Sequence, residues 1–296
     1  MEIGFIGLGN LGKGMAENLM GKEHKIHLYN RTESKMQSFR DKAQLHTSLS
    51  SIAQACDIIF STVSDDKALE SISFGNEGLI ENMRSGTVHV CLSTIAPSTA
   101  VSLNTAYQQK GIDYITATVI GRPEAVRNRN LVICYSGTTG KKEAVFSLLK
   151  DLGGAKIFEF GDDPKMAAVV KVCNNFMIVA ALETMGEAFN LLEKSGVQPQ
   201  AFYEMITDTI FSSPIYKNYG KIIIEKNYKD PGFTSQLGLK DTKLALGLAD
   251  ELSTPLPIAD IIKNRFFINH NKGRKDWDWT SIVAVIKEEN EINPHL

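Results

Sequence analysis

Gly7-Leu8-Gly9-Asn10-Leu11-Gly12 follows the short apolar run Glu2 to Ile6 and leads into Leu11, Met15 and Leu19 at helical spacing. The order is strand, tight turn, helix. In such a unit the first glycine permits the turn, the second lets the backbone approach a pyrophosphate, and the third lets the helix pack on the strand. The pyrophosphate then rests on the helix N-terminus, where free N–H groups and the dipole favour negative charge. A hexapeptide of this kind is weak by itself, because glycine-rich turns occur in proteins that bind no nucleotide. The context strengthens it. A second strand, Lys25 to Tyr29, follows at the distance a βαβ unit requires and ends in Asn30-Arg31-Thr32. An acidic residue there would hold the ribose 2′-hydroxyl of NAD, whereas arginine accommodates a 2′-phosphate. Gly7, Leu8, Gly9, Asn10, Leu11, Gly12, Asn30, Arg31 and Thr32 are therefore candidates for binding NADP(H). The plainer alternative makes Arg31 a solvated loop cation and Thr32 a helix cap.

Working outward, strand signals recur near Ile58, Val88, Tyr114 and Val132, with helical stretches between several of them. This alternation predicts a mainly parallel, doubly wound sheet of the Rossmann type, covered by helices on both faces. The pattern switches near Gly161. Asp163-Pro164 reads as an N-cap with proline in the first helical position. Apolar residues then persist to about Leu192, enough for one helix of roughly 45 Å at 1.5 Å per residue. Beyond it the pattern stays helical, with breaks at Gly196 to Pro199, Ser212 to Pro214, Asp230 to Gly232 and Ser253 to Pro257. The expected architecture is α/β: a nucleotide-binding domain over residues 1–162, then an all-helical domain over 163–296.

With 296 residues, 43% of them hydrophobic and 22% charged, the chain is long enough for two domains and has ordinary globular composition. A formal charge of −2 argues against nucleic acid, and the basic patch Lys272-Gly273-Arg274-Lys275 is diluted by Asp276 and Asp278. Cys56, Cys91, Cys134 and Cys173 are widely spaced, which suggests neither zinc nor a disulfide framework and suits a reducing cytoplasm. The chain enters its first strand without a leader pattern. Met166 to Leu182 is the most apolar long stretch, but Lys171, Asn174 and Asn175 interrupt it. A central lysine alone costs roughly 2.5–3.5 kcal/mol in a bilayer on insertion scales, so a helix buried in protein is expected and no membrane partner.

Lys171 and Asn175 are four residues apart and project from one face of that helix. A lysine in an apolar run must reach solvent, a partner or a ligand, because an unpaired buried ammonium is too costly. One reading is a proton donor or acceptor. The other is a snorkelling lysine beside an amide that caps a neighbouring helix. The six histidines form no catalytic cluster in sequence and no H-E-x-x-H occurs, so no metal is expected.

The opening stretch Gly4 to Gly12 with Met15-Ala16-Glu17-Asn18-Leu19 resembles the signature of the β-hydroxyacid dehydrogenase family, which includes 3-hydroxyisobutyrate and 6-phosphogluconate dehydrogenases. The resemblance continues through Leu92-Ser93-Thr94-Ile95-Ala96-Pro97, Lys171-Val172-Cys173-Asn174-Asn175 and Lys240-Asp241-Thr242-Lys243-Leu244-Ala245-Leu246. It implies an NADPH-dependent oxidoreductase transferring hydride between nicotinamide and a small carbonyl or hydroxy-acid substrate. It also implies Lys171 as the catalytic acid or base, Asn175 as a substrate contact, and Lys240 reaching the cofactor or the substrate carboxylate. Val63, Ser64 and Thr94 would lie beside the cofactor, and a homodimer or higher homo-oligomer is implied.

One block departs from the family. Relatives acting on 3-hydroxy acids carry Asp-x-Pro-Val-Ser-Gly-Gly, whose serine and glycines bind the substrate carboxylate. Here the stretch is Thr116-Ala117-Thr118-Val119-Ile120-Gly121-Arg122. Only Val119 and Gly121 match, and Ile120 removes a hydroxyl donor. Gly121 and Arg122 stand as substrate-binding candidates, with Arg122 alternatively a surface partner of Glu124. An unusual substrate is expected, and an imine reductase or a non-catalytic NADPH-binding protein are the competing readings.

Overall fold

The computed structural model describes residues 1–290. The chain divides into two compact units, Met1–Lys171 and a second from Val172 onward. The first holds eight strands: β1 (Glu2–Ile6), β2 (Lys25–Tyr29), β3 (Gln44–Leu45), β4 (Ile58–Ser61), β5 (Val88–Cys91), β6 (Asp113–Ile120), β7 (Leu131–Ser136) and β8 (Gly154–Glu159). They form one sheet in the order β3-β2-β1-β4-β5-β6-β7-β8. All neighbours are parallel except β6 and β7. That exception follows from chain length: residues 121–130 hold only the short helix Pro123–Arg127, too little for the crossover a parallel pair needs.

The expected doubly wound sheet is present, and two strands add to the expectation. β3 is two residues long and gives no periodic signal. β8 is an edge strand with no residue fully buried, so it lacks the apolar pattern that marks interior strands. Elsewhere the strands are buried on both faces. Ile3, Phe5, Ile58 and Phe60 pack into one hydrophobic layer, while Ile6, Ile59 and Tyr114 pack into the other. His89, fully buried in β5, bonds Ser61 Oγ at 2.8 Å. Burial pushes its imidazole pKa down to about 3, so it stays neutral at ordinary pH.

The long helix runs from Lys165 to Lys194, 30 residues. Asp163 accepts the Lys165 N–H at 3.1 Å, as the Asp-Pro signal predicts. By length and composition this helix could cross a membrane, yet half of its most apolar window is buried within the protein. The second unit is helical among the described residues, with helices Pro199–Asp208, Pro214–Glu225, Ser235–Glu251, Pro257–Asn271 and Ile282–Asn290. Proline occupies the first turn of three of them, where its missing N–H is harmless. Its core gathers Leu182, Met185, Phe189, Ile262, Phe266 and Trp279. Tyr219 and Phe233 lie edge-on to Trp279, so these aromatics pack the core.

Candidate active site

Parallel pairing lines up Tyr29, Ile6, Ser61 and Cys91 in one row. Beyond that row the chain leaves the sheet at the same end four times, through Gly7–Gly12, Asn30–Thr32, Val63–Ser64 and Thr94. Strand order reverses between β1 and β4, the crevice where open α/β sheets bind ligands. The segments singled out by sequence are thereby brought together. Gly7 N–H bonds Tyr29 O at 3.1 Å, and Leu8 N–H bonds Asn30 Oδ1 at 2.8 Å. Asn30 Nδ2 donates in turn to Thr32 O at 2.9 Å. Asn30 is thus a clip between the first two loops. On the other side, Ser93 Oγ accepts the Val63 N–H at 2.8 Å, and Ser64 bonds Asp65, which caps the next helix.

The three glycines of the turn separate by cause. A Cβ on Gly7 would stand 2.1 Å from Thr62 O, and its φ is +96°. On Gly12 a Cβ would stand 2.1 Å from Gly7 O and 2.5 Å from Thr62 Cγ2. Both must be glycine for the backbone to pass. Around Gly9 nothing beyond its own chain neighbours lies within 4 Å of a Cβ position, and its φ is not positive. The fold does not demand a glycine there, whereas a pyrophosphate lying against the backbone would. The helix that follows, Gly12–Met20, has no side chain capping its N-terminus and no acid in its first turn. An anion fits that terminus, and so the residues present suit a dinucleotide phosphate.

A cavity of about 460 Å³ opens here, lined by Leu8, Gly9, Asn10, Lys13, Ser34, Lys35 and Ser38. Arg31 and Thr32 are exposed just before the 3-10 helix Glu33–Phe39, which supplies three of these residues. Lys13, Ser34, Lys35 and Ser38 were not singled out from sequence. For the last three the signal was the four-residue spacing of two hydroxyls around a lysine shortly after Asn30-Arg31-Thr32; Lys13 had none.

Gly121 follows β6, and a Cβ on it would meet Leu131 Cδ2 at 2.6 Å and Ala125 Cβ at 3.1 Å, so a larger residue there would need those side chains to shift. Arg122 is half-buried at the start of the helix Pro123–Arg127. Glu124 pairs with Arg127 at 3.2 Å. That short helix packs on the first one, since Asn18 Nδ2 donates to Val126 O at 3.1 Å.

Lys171 is 8% exposed and Asn175 4% exposed. Within the sheet unit the Lys171 charge reaches the buried thiol of Cys134 on β7. Burial pushes that thiol pKa up, and the ammonium opposes the rise. In the helical unit Asn175 Nδ2 donates to Asp241 Oδ2 at 2.5 Å, Asn174 Nδ2 donates to Asn175 Oδ1 at 3.1 Å, and Lys240 pairs with Asp241 Oδ1 at 2.9 Å. Asn175 and Lys240 are therefore joined through a carboxylate, 2% exposed, to which sequence reasoning gave no role. A buried aspartate beside a lysine in a helical run was the available signal.

Two family models match the chain. The NAD binding domain of 6-phosphogluconate dehydrogenase matches residues 2–161, and the NAD-binding domain of NADP-dependent 3-hydroxyisobutyrate dehydrogenase matches residues 166–286. The Bacillus subtilis oxidoreductase YfjR, itself uncharacterized, is 35% identical over 97% of this chain and 100% of its own length. Glyoxylate/succinic semialdehyde reductase 1 of Arabidopsis thaliana is 26% identical over 98% of this chain and 100% of its own. The Mycobacterium tuberculosis 3-hydroxyisobutyrate dehydrogenase structure shares the fold, with a TM-score of 0.85 at 19% identity, covering 97% of this chain and 99% of that one.

Proposed function

Because the chain belongs to the β-hydroxyacid dehydrogenase family and is an NAD(P)-dependent oxidoreductase acting on CH–OH groups, we propose that it is an NADPH-dependent reductase of small carbonyl compounds with Lys171 as its proton donor. The burial of Lys171 carries this reading. An ammonium screened from bulk water is a stronger hydrogen-bond donor than one in solvent, which suits it to meet a developing alkoxide. When bound, the nicotinamide dinucleotide supplies the hydride. Gly7–Gly12 hold the pyrophosphate, Val63, Ser64 and Thr94 border the nicotinamide side, and Lys171 delivers the proton. Asn175 and Lys240, ordered by Asp241, orient the substrate, with Lys240 also within the cofactor's reach. Gly121 and Arg122 take the substrate's polar end.

Preference for NADPH over NADH rests on Arg31, Thr32 and the cationic lining from Lys13 and Lys35, which a 2′-phosphate would neutralise. By function, residues 1–162 are assigned to the nucleotide domain and 163–296 to the substrate and oligomer domain, while the compact units divide after Lys171. Exposed Met177 and Leu191 on the long helix favour a homodimer or larger homo-oligomer, and light scattering tests this. The four free cysteines suit the cytoplasm.

The test is NADPH oxidation by the purified protein against glyoxylate, succinic semialdehyde and related short aldehydes. Lys171→Ala is expected to lose about 10²–10⁴-fold in kcat while keeping its fold and NADPH affinity. Wild-type turnover by that variant would sink the assignment. Ile120, standing where the family has serine, supports imine reduction as the second reading. A panel of cyclic imines reacting alone would put it first.

A further inference from the structure

The first turns of the long helix are held by two hydroxyls that come from the sheet. Ser136, the last residue of β7 and fully buried, donates from Oγ to Pro164 O at 3.0 Å and accepts the Ala167 N–H at 2.9 Å. Thr118, fully buried in β6, donates from Oγ1 to Ala167 O at 3.1 Å, and the same hydroxyl lies 3.3 Å from Cys134 O. Ala167 thus has both its N–H and its C=O gripped by side chains of neighbouring strands. One helical turn later stands Lys171, whose own N–H shares the Ala167 carbonyl in the i to i−4 ladder.

The two bonds differ in need. The Ala167 N–H belongs to the first helical turn and has no acceptor inside the helix, so Ser136 completes backbone pairing from another element. The Ala167 carbonyl already has its helical donor, so the Thr118 bond is a second one. Backbone satisfaction does not require it. What it adds is a fixed rotation of this turn over the β6–β7 pair, where Thr118 and Cys134 are cross-strand partners. The Thr118 hydroxyl lies between Ala167 O and Cys134 O, so the turn that leads to Lys171 is held directly over that strand pair.

We propose that Thr118 and Ser136 are positioning residues that set the height and rotation of the Lys171 turn on the sheet, and thereby the point at which its ammonium meets the reacting oxygen. The inference rests on the reading of Lys171 as proton donor. Displacements of about 1 Å suffice to cost up to roughly 10²-fold in rate, so the loss of one such tether is expected to be visible in kcat.

The test compares full-length wild type with Thr118→Val, Thr118→Ser, Ser136→Ala and Lys171→Ala, using NADPH with succinic semialdehyde or glyoxylate, whichever turns over faster. Thr118→Val keeps the shape and loses the donor. It is expected to lower kcat about tenfold, to leave NADPH affinity unchanged, and to shift the alkaline limb of the pH–rate profile. Thr118→Ser should restore both. A readout independent of turnover is the titration of the Lys171 amine in the free protein, followed by 13C NMR after reductive methylation. Its midpoint should move in Thr118→Val and return in Thr118→Ser. If Thr118→Val fails to fold, Ser136→Ala makes the same test through the other tether. A lower Tm with unchanged kcat, profile and amine titration overturns the proposal, while a dead Lys171→Ala in that same series leaves the function intact. An active Lys171→Ala overturns the function itself.

Discussion

Two helices in the sheet unit begin in opposite ways. The helix Gly12–Met20 starts with no capping side chain and with open space around Gly9. The long helix Lys165–Lys194 starts with its first N–H groups taken, by Asp163 at Lys165 and by Ser136 at Ala167. A terminus with no capping side chain keeps its partial positive charge for a ligand, although here the Lys13 N–H is already taken by Gly9 O at 3.1 Å. A capped terminus gives up its donors in exchange for a fixed position. The pair teaches that side chains take the orphan N–H groups in one place and leave them untaken in the other, and that neighbouring elements decide which.

The comparison can be broken at either end. The largest effect is expected at Gly7 and Gly12, where a side chain collides with backbone. Gly12→Val should cost about 3 kcal/mol or more and appear as a lowered denaturation midpoint. Gly9→Val should instead leave the midpoint in place and weaken NADPH binding at least about tenfold, read by nucleotide fluorescence. Equal destabilisation by both substitutions would erase the distinction between fold glycine and ligand glycine. Smaller is the effect of Lys35→Ala, expected to reduce the preference for NADPH over NADH about tenfold, the scale of one charged hydrogen bond. Steady-state kinetics with both nucleotides measures it, and an unchanged ratio would remove Lys35 from the phosphate site.

The smallest effect concerns the capped helix. Asp163→Ala should cost about 1 kcal/mol of stability, the usual worth of such a cap. Burial works to raise the Asp163 carboxyl pKa, but its bonds to the Lys165 side chain and backbone outweigh it and hold the group below its ordinary 3.8. The stabilisation from this shift is therefore complete above pH 3.8 and is lost as pH falls below it through the folded-state value. Asp163→Asn should keep most of the cap and flatten that acid-limb contribution in thermal melts collected against pH. A wild-type acid limb in Asp163→Asn would show that this carboxylate does not titrate as described.

The amino-acid sequence by itself determined the alternation of strands and helices, the glycine turn, the proline-started helices and the presence of a lysine in an apolar helix. These follow from local rules: periodicity marks burial, glycine and proline limit the backbone, and an Asp-Pro pair starts a helix. Only the tertiary structure decided the antiparallel β6–β7 pair, the edge strand β8, and the partners of Thr118, Ser136 and Asp241. Local pattern did not identify those partners, because they lie on other elements. Thr118 reaches a carbonyl 49 residues away and Asn175 a carboxylate 66 residues away. The separate parts expected of Gly7, Gly9 and Gly12 follow from their order in the turn, but the distances behind them do not. Their difference is a matter of which backbone atoms stand beside them, and chain crossing at Thr62 sets that distance.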